Sequence, residues 1–120
     1  MPFDRLDDVA PQQLAEGYLA RAVHGEQLTL GVVEIAPNTP LAEHSHANEQ
    51  SGIVVSGSVR FTIDGETTTL EPGGIWRIPA HAPHSVVGGP EGATVIDVFS
   101  PPRAEWQALD ALEPAPARWP

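Results

Sequence analysis

Two of the five histidines in this 120-residue chain stand on alternate positions, His44 and His46, and the pair Glu49-Gln50 follows them. On a strand, residues two apart face the same side with their Cα atoms about 6.5 Å apart. Two imidazoles so placed can converge on one ion at roughly 2.0–2.2 Å per bond. The chemistry on offer is metal ligation by neutral rings. Position 50 shares the parity of 44 and 46 and position 49 does not, which favours Gln50 over Glu49 as a further ligand. A bulge between residues 46 and 50 would reverse that choice. Taken alone, a His-x-His is as often a polar strand end as a metal site.

The missing residue types narrow the field. Cysteine is absent, and so are disulfides, thiolate metal sites and cysteine nucleophiles. The six basic residues are all arginine, so lysine Schiff bases and phosphate-binding P-loops are excluded. A formal charge of −10 argues against nucleic acid, whose binding needs a basic surface to displace counterions. Chemistry is left to His, Asp, Glu, Gln, Arg and a metal. No apolar run is long enough to span a membrane. The opening MPFDRLDDVAP has neither a basic nor an apolar leader region, so a cytoplasmic location is expected.

The elements that must position these side chains read as short strands. Length fits one domain, with a barrel core over 18–100 and a tail over 101–120. Thirteen prolines and eleven glycines break the chain every eight to twelve residues. Residues 1–17 are mixed, with one helical turn at most in PQQLAEG. YLARAVH and QLTLGVVEIA alternate as strands, PNTP breaks the second, and LAEHSH is a short strand. The near-continuous apolar run SGIVVSG suggests burial on both faces. In SVRFTIDGETTTL, Val59, Phe61 and Ile63 point inward and the chain reverses at Asp64-Gly65. IWRIP is a strand, HSVVGGPEG a strand ending in a loose loop, and ATVIDVFS the last strand. Together they predict an all-β, antiparallel sandwich or barrel. The tail is expected to hold a short helix around RAEWQALDAL and then an extended or disordered arm.

Farther along, PGGIWRIPAHAPHSV brings in His81 and His84 beside Gly73 and Pro79. With HSHANEQ and Gly57, this stretch resembles the two motifs of the cupin superfamily. Asn38 stands where the family's first motif opens on glycine, a replacement a left-handed turn tolerates. His81 stands where the second motif has a glycine, and Gln50 where the usual ligand is glutamate. The resemblance implies a jelly-roll barrel holding one divalent metal, iron, manganese, nickel or zinc, on His44, His46, Gln50 and His84. It leaves His81 to the pocket or its rim. Four neutral ligands leave the ion's charge unbalanced, so the site should draw an anion into its open positions. Coordination by Glu49 would undo that inference.

The last strand extends the likeness. VIDVFSPPR is similar to the compact single-domain cupins of the pectin-degradation type, which linearise unsaturated uronates. That group implies proton transfer at Asp97, a pocket wall at Phe99 and a substrate carboxylate on Arg103. Plainer readings stand beside these: Asp97 in a buried polar network, Phe99 as a core aromatic, Arg103 paired with Glu105. Other small cupins are iron dioxygenases, or bind a ligand without turnover. The expected partners are a small anionic substrate and a second copy of the chain, joined through the N-terminal strands and Trp106 and Trp119.

Overall fold

The structure, a computed structural model, describes residues 2–120. A 3₁₀ turn at Leu6–Asp8 precedes eight strands. They are β1 (Gln12–Ala15), β2 (Tyr18–His24), β3 (Thr29–Ile35), β4 (Pro40–His44), β5 (Glu49–Ile63), β6 (Glu66–Leu70), β7 (Ile75–Ile78) and β8 (His84–Ser100). One helical turn, α1 (Ala104–Gln107), follows. Every strand pairing is antiparallel.

The frame is a long ribbon of β5 and β8, paired from Glu49↔Ser100 to Ile63↔His84. Its two halves take different neighbours. Toward the start of β5, β7 joins Gln50–Ile53 and β3 joins Ala93–Phe99 of β8. Toward the end of β5, β6 joins Val59–Ile63 and β4 joins His84–Val87 of β8. One ribbon therefore serves two sheets, β1-β2-β3-β8-β5-β7 and β4-β8-β5-β6, and the result is a jelly roll. The ribbon changes sheet where its register slips, between Val54 and Val59. Gly57 sits in that bend at φ +73°, against the Gly92 carbonyl, where any Cβ would collide.

Several local expectations hold. Asp64 and Gly65 have φ of +51° and +83°, the conformation a two-residue hairpin needs. Asn38 has φ +55° in its left-handed turn. Val59 and Phe61 are buried and Arg60 is exposed. Other expectations need correction. The sheet starts at Gln12, not Tyr18, because β1 pairs with β2 where a helical turn was expected. The loose loop after HSVV stays in the strand, since β8 runs unbroken through it. In SGIVVSG only Val54 is fully buried, while Ile53 and Val55 are half-exposed on the outer side.

The tail is an extended arm laid along the outside of β1, β2 and β3. Gln12 Nε2 donates to the carbonyls of Trp106 (2.9 Å) and Leu109 (2.7 Å), which fixes its start. Arg21, buried outside β2, pairs with Glu34 at 2.5 Å and donates to the Ala115 carbonyl. Arg118 Nη2 donates to Ala93 O at 2.6 Å. Side-chain hydrogen bonds in both directions, from Gln12 and Arg21 to arm carbonyls and from Arg118 to a sheet carbonyl, hold the proline-rich arm. No helix among the described residues is long and apolar enough to cross a membrane.

Candidate metal centre

Strand register layers the barrel interior. Along β8 the inward side chains run Ala93, Val95, Asp97, Phe99, opposite Ile35, Val33, Gly31 and Thr29 of β3. The first two layers are aliphatic, and polar groups begin at Asp97. On the facing sheet, His44 of β4 lies opposite His84 of β8. These layers line a cavity of about 380 Å³, in the range of small-ligand sites.

His44, His46 and His84 converge there, their nearest ring nitrogens all within 4.8 Å of one another. Each ring is held from behind by a backbone carbonyl. Nδ1 of His44 bonds Ala42 O at 2.8 Å, Nδ1 of His46 bonds Asn48 O at 3.0 Å, and Nδ1 of His84 bonds Ala82 O at 2.9 Å. A carbonyl only accepts, so each Nδ1 carries the proton and each Nε2 presents a bare lone pair. That is the tautomer a metal-bound imidazole has. Burial pushes His46 below its ordinary pKa, with the Arg103 charge adding to it, and burial pushes His84 down to about 4. Both rings are neutral at pH 7.

Two contacts have no satisfactory partner without a cation. His84 Nε2 is buried and unbonded. Nε2 of His46 faces Oε1 of Gln50 at 3.1 Å, although the Gln50 amide NH₂ is already given to Asp97 Oδ1 at 2.9 Å. Two lone pairs thus point at each other, an arrangement an ion between them relieves. The donor set suits a divalent metal with imidazole and amide oxygen ligands. His44, His46, His84 and Gln50 would hold it, and it would supply a Lewis acid for a substrate oxygen.

The choice between positions 49 and 50 turns on β5 and not on the parity of the histidines. β4 ends at His44, and residues 45–48 form a turn that resets the phase. The alternation of β5 then buries Gln50 and exposes Glu49. Asp97, Phe99 and Arg103 all line the same cavity. Asp97 Oδ1 accepts from both Gln50 and Trp76 Nε1 (2.8 Å), and burial raises its pKa to about 6. Gly52, paired with Asp97 across the ribbon, leaves the room that the Trp76 indole fills.

Arg103 reaches the cavity from the turn after β8, its backbone N–H held by Thr29 Oγ1 at 2.8 Å. Its guanidinium carbon lies 5.4 Å from the Phe99 ring centre and 5.9 Å from that of Trp106. Nη1 lies 2.6 Å from Glu105 without hydrogen-bond alignment, and neither Nε nor Nη1 has a hydrogen-bond partner. Both plain readings are therefore present, the Asp97 network and the Arg103–Glu105 pair, and both open on the cavity.

His81 does not line the cavity. Its side chain is exposed, so of the two expected places, pocket or rim, only the rim stays open to it. It holds a left-handed position, φ +68°, from which its N–H donates to His46 O at 2.7 Å. Its backbone therefore does a turn glycine's work. Trp106, expected at a subunit contact, is instead buried edge-on against Phe99, with ring centres 4.7 Å apart.

Sequence reasoning passed over two contributors. Trp76 supplies Asp97's second donor. The side chain of Asn48 bonds the carbonyls of Pro101 (2.6 Å) and Pro102 (3.2 Å), and its own carbonyl holds His46. Asn48 thus ties the histidine turn to the turn bearing Arg103. An asparagine between two candidate ligands and a tryptophan on a four-residue strand were the available signals.

Comparison with known proteins fits this geometry. The cupin domain family profile matches residues 31–99. This chain is a cupin. It is 30% identical over 104 residues to the pectin degradation protein KdgF of Dickeya dadantii, covering 84% of this chain and 94% of that protein. The structure of KdgF from Halomonas sp. superposes with a TM-score of 0.74 at 29% identity, over 79% of this cupin and 88% of that chain. An RmlC-like cupin from Shewanella frigidimarina shares the fold, with a TM-score of 0.81 at 24% identity, over 88% and 95% of the two chains.

Proposed function

We propose that this cupin is a metal-dependent enzyme that moves protons on a small carboxylated substrate, by ring opening or isomerisation of an unsaturated uronate. The observation that carries the reading is that Asp97 and Arg103 share one cavity with the three imidazoles. Likeness to the pectin degradation proteins supports the choice of substrate.

Arg103 takes the substrate carboxylate on Nε, which has no partner, and on Nη1, where the substrate displaces Glu105, with Phe99 and Trp106 backing the guanidinium. A divalent metal held by His44, His46, Gln50 and His84 would supply a Lewis acid for a substrate oxygen. Asp97 has one oxygen fixed by two donors, and Oδ2 has no side-chain hydrogen-bond partner among the described residues. A pKa near 6 lets that oxygen take a proton and return it near neutral pH. In ring opening, Asp97 takes the proton of the hemiacetal hydroxyl, and the ring C–O bond breaks as the carbonyl forms. The same proton is then returned to the enolate that leaves. The aliphatic layers behind the site exclude water and strengthen these charge interactions.

The test is the loss of ultraviolet absorbance when metal-loaded protein meets an unsaturated uronate. Asp97→Asn and Arg103→Ala should each slow turnover by about 100-fold or more. Unchanged rates in both variants would refute the assignment. Oxygen uptake by iron-loaded protein would move the reading to a dioxygenase, and tight binding of the acid without turnover to a ligand-binding cupin.

A further inference from the structure

Gln12 opens β1, the short outermost strand of the larger sheet, which pairs only with β2 among the described residues. Glutamine side chains mostly lie at the surface with their amides in water. Here Nε2 donates to the carbonyls of Trp106 at 2.9 Å and Leu109 at 2.7 Å, 94 and 97 residues away in sequence. A primary amide has two N–H donors, and both are committed to this one turn. Just before it, the Pro11 carbonyl accepts from the N–H of Leu112 at 2.8 Å. Pro11 and Gln12 thus clasp the chain from Trp106 to Leu112.

What the clasp holds is a wall of the cavity, since Trp106 and Leu109 both line it. α1 is a single turn, too short to be stable by its own hydrogen bonds, so its place depends on tertiary contacts. Trp106 is seated over Gly31 of β3, where a Cβ would lie 2.6 Å from the indole ring. From that seat its ring meets Phe99 edge-on and lies 5.9 Å from the Arg103 guanidinium carbon. Gly31 makes room for the indole, and Gln12 fixes the backbone that delivers it.

We propose that Gln12 is a positioning residue for the substrate carboxylate, acting through Trp106 on Arg103; this rests on the reading of Arg103 as the carboxylate seat. Thr29 holds the Arg103 backbone, and Asn48 holds the two carbonyls before it. Those bonds fix where the side chain starts. Nε and Nη1 have no hydrogen-bond partner, so the rings beneath the guanidinium set where it ends. Phe99 belongs to β8 and is held by that strand's ladder, whereas Trp106 stands on one turn beyond it. The support of that turn is Gln12. A two-point hold on a carboxylate demands accurate placement, which makes this remote amide matter to binding.

Isothermal titration of the zinc-loaded full chain with galacturonate and with its methyl ester tests this. The ester keeps the sugar and removes the charge. Gln12→Met, similar in length but without donors, should weaken galacturonate binding by about three- to tenfold, the size of one or two net hydrogen bonds. Ester binding and zinc affinity should not change. Gln13→Ala, at the exposed next residue of β1, should leave all three affinities as they are. In metal-free protein, Gln12→Met should also alter the near-ultraviolet circular dichroism that comes from Trp106 against Phe99. An acid-to-ester affinity ratio that Gln12→Met leaves unchanged, or an unchanged spectrum, would overturn the role of Gln12 alone. A wild type that binds the acid no better than the ester would strike the carboxylate seat on Arg103, and this role of Gln12 with it.

Discussion

β8 shows two policies on alternate residues. Val95, Asp97 and Phe99 face the cavity, while Ile96 and Val98 face out. An ordinary sheet of this kind places aliphatics inside and carboxylates outside. This strand reverses both at the same end. Inside, the buried carboxylate is tolerated because two donors hold one of its oxygens, and even so its pKa is driven up. Outside, the aliphatics have no such compensation within one chain. Departures from the alternation mark where a sequence serves something besides the fold. Inward, at Asp97, the departure falls where the cavity lining turns polar.

The largest effect should come from breaking the inner side at its ligands. His84→Ala removes a ring whose Nε2 has no protein partner, so nothing else takes its place at the ion. Metal affinity should fall by roughly 100-fold or more, read by isothermal titration and elemental analysis of dialysed protein. Undiminished metal binding would remove the centre from His44, His46 and His84.

Asp97→Asn separates the cost of the inner reversal from its use. The folded pKa, about 6, lies above the ordinary 3.8, so the folded protein holds the proton more tightly than the unfolded chain. Wild-type stability must then fall as pH rises from about 4 to about 6 and stay reduced above that. Asparagine keeps an oxygen for Trp76 and Gln50 and does not titrate. Metal-free Asp97→Asn should therefore be more stable than wild type at pH 7, by on the order of 2–3 kcal/mol, with the gap closing below pH 4. Denaturant midpoints at pH 4 and pH 7 give the comparison. Equal midpoints at both would mean that the carboxylate is not strained by burial.

How much of this could be read from the residues follows from how local each cause is. The Asp64-Gly65 hairpin and the left-handed Asn38 were legible because a turn is decided by the two or three residues in it. The convergence of His44, His46 and His84 was legible through a motif, and Gln50 fell on the correct side for a different reason, the phase of β5. β1 was missed although its pairing with β2 is a local hairpin over Glu16-Gly17; only the anchoring of Gln12 on Trp106 and Leu109 joins residues far apart in sequence. Nor was the arm legible: its anchors pair a side chain with a backbone group far away in sequence, so that one partner of each bond carries no residue identity. Trp76 drew no reading of its own, because nothing in IWRIP says that its N–H meets an aspartate 21 residues on.

The smallest effect is expected at the mouth, where inner and outer regimes meet. Glu105 is two-thirds exposed and leans on Nη1 of Arg103 without a proper hydrogen bond. In the proposed reaction an incoming carboxylate wants that same nitrogen, so Glu105 is its competitor and also the nearest carboxylate to repel it. Glu105→Gln keeps the shape and removes the charge. Exposed pairs contribute little to stability, so the unfolding midpoint should barely move. KM for an anionic substrate should fall by about two- to fivefold with kcat unchanged, and the effect should shrink as salt is added. A KM that rises instead would show that Glu105 holds Arg103 in place for the substrate, and a change in kcat would put Glu105 inside the chemistry.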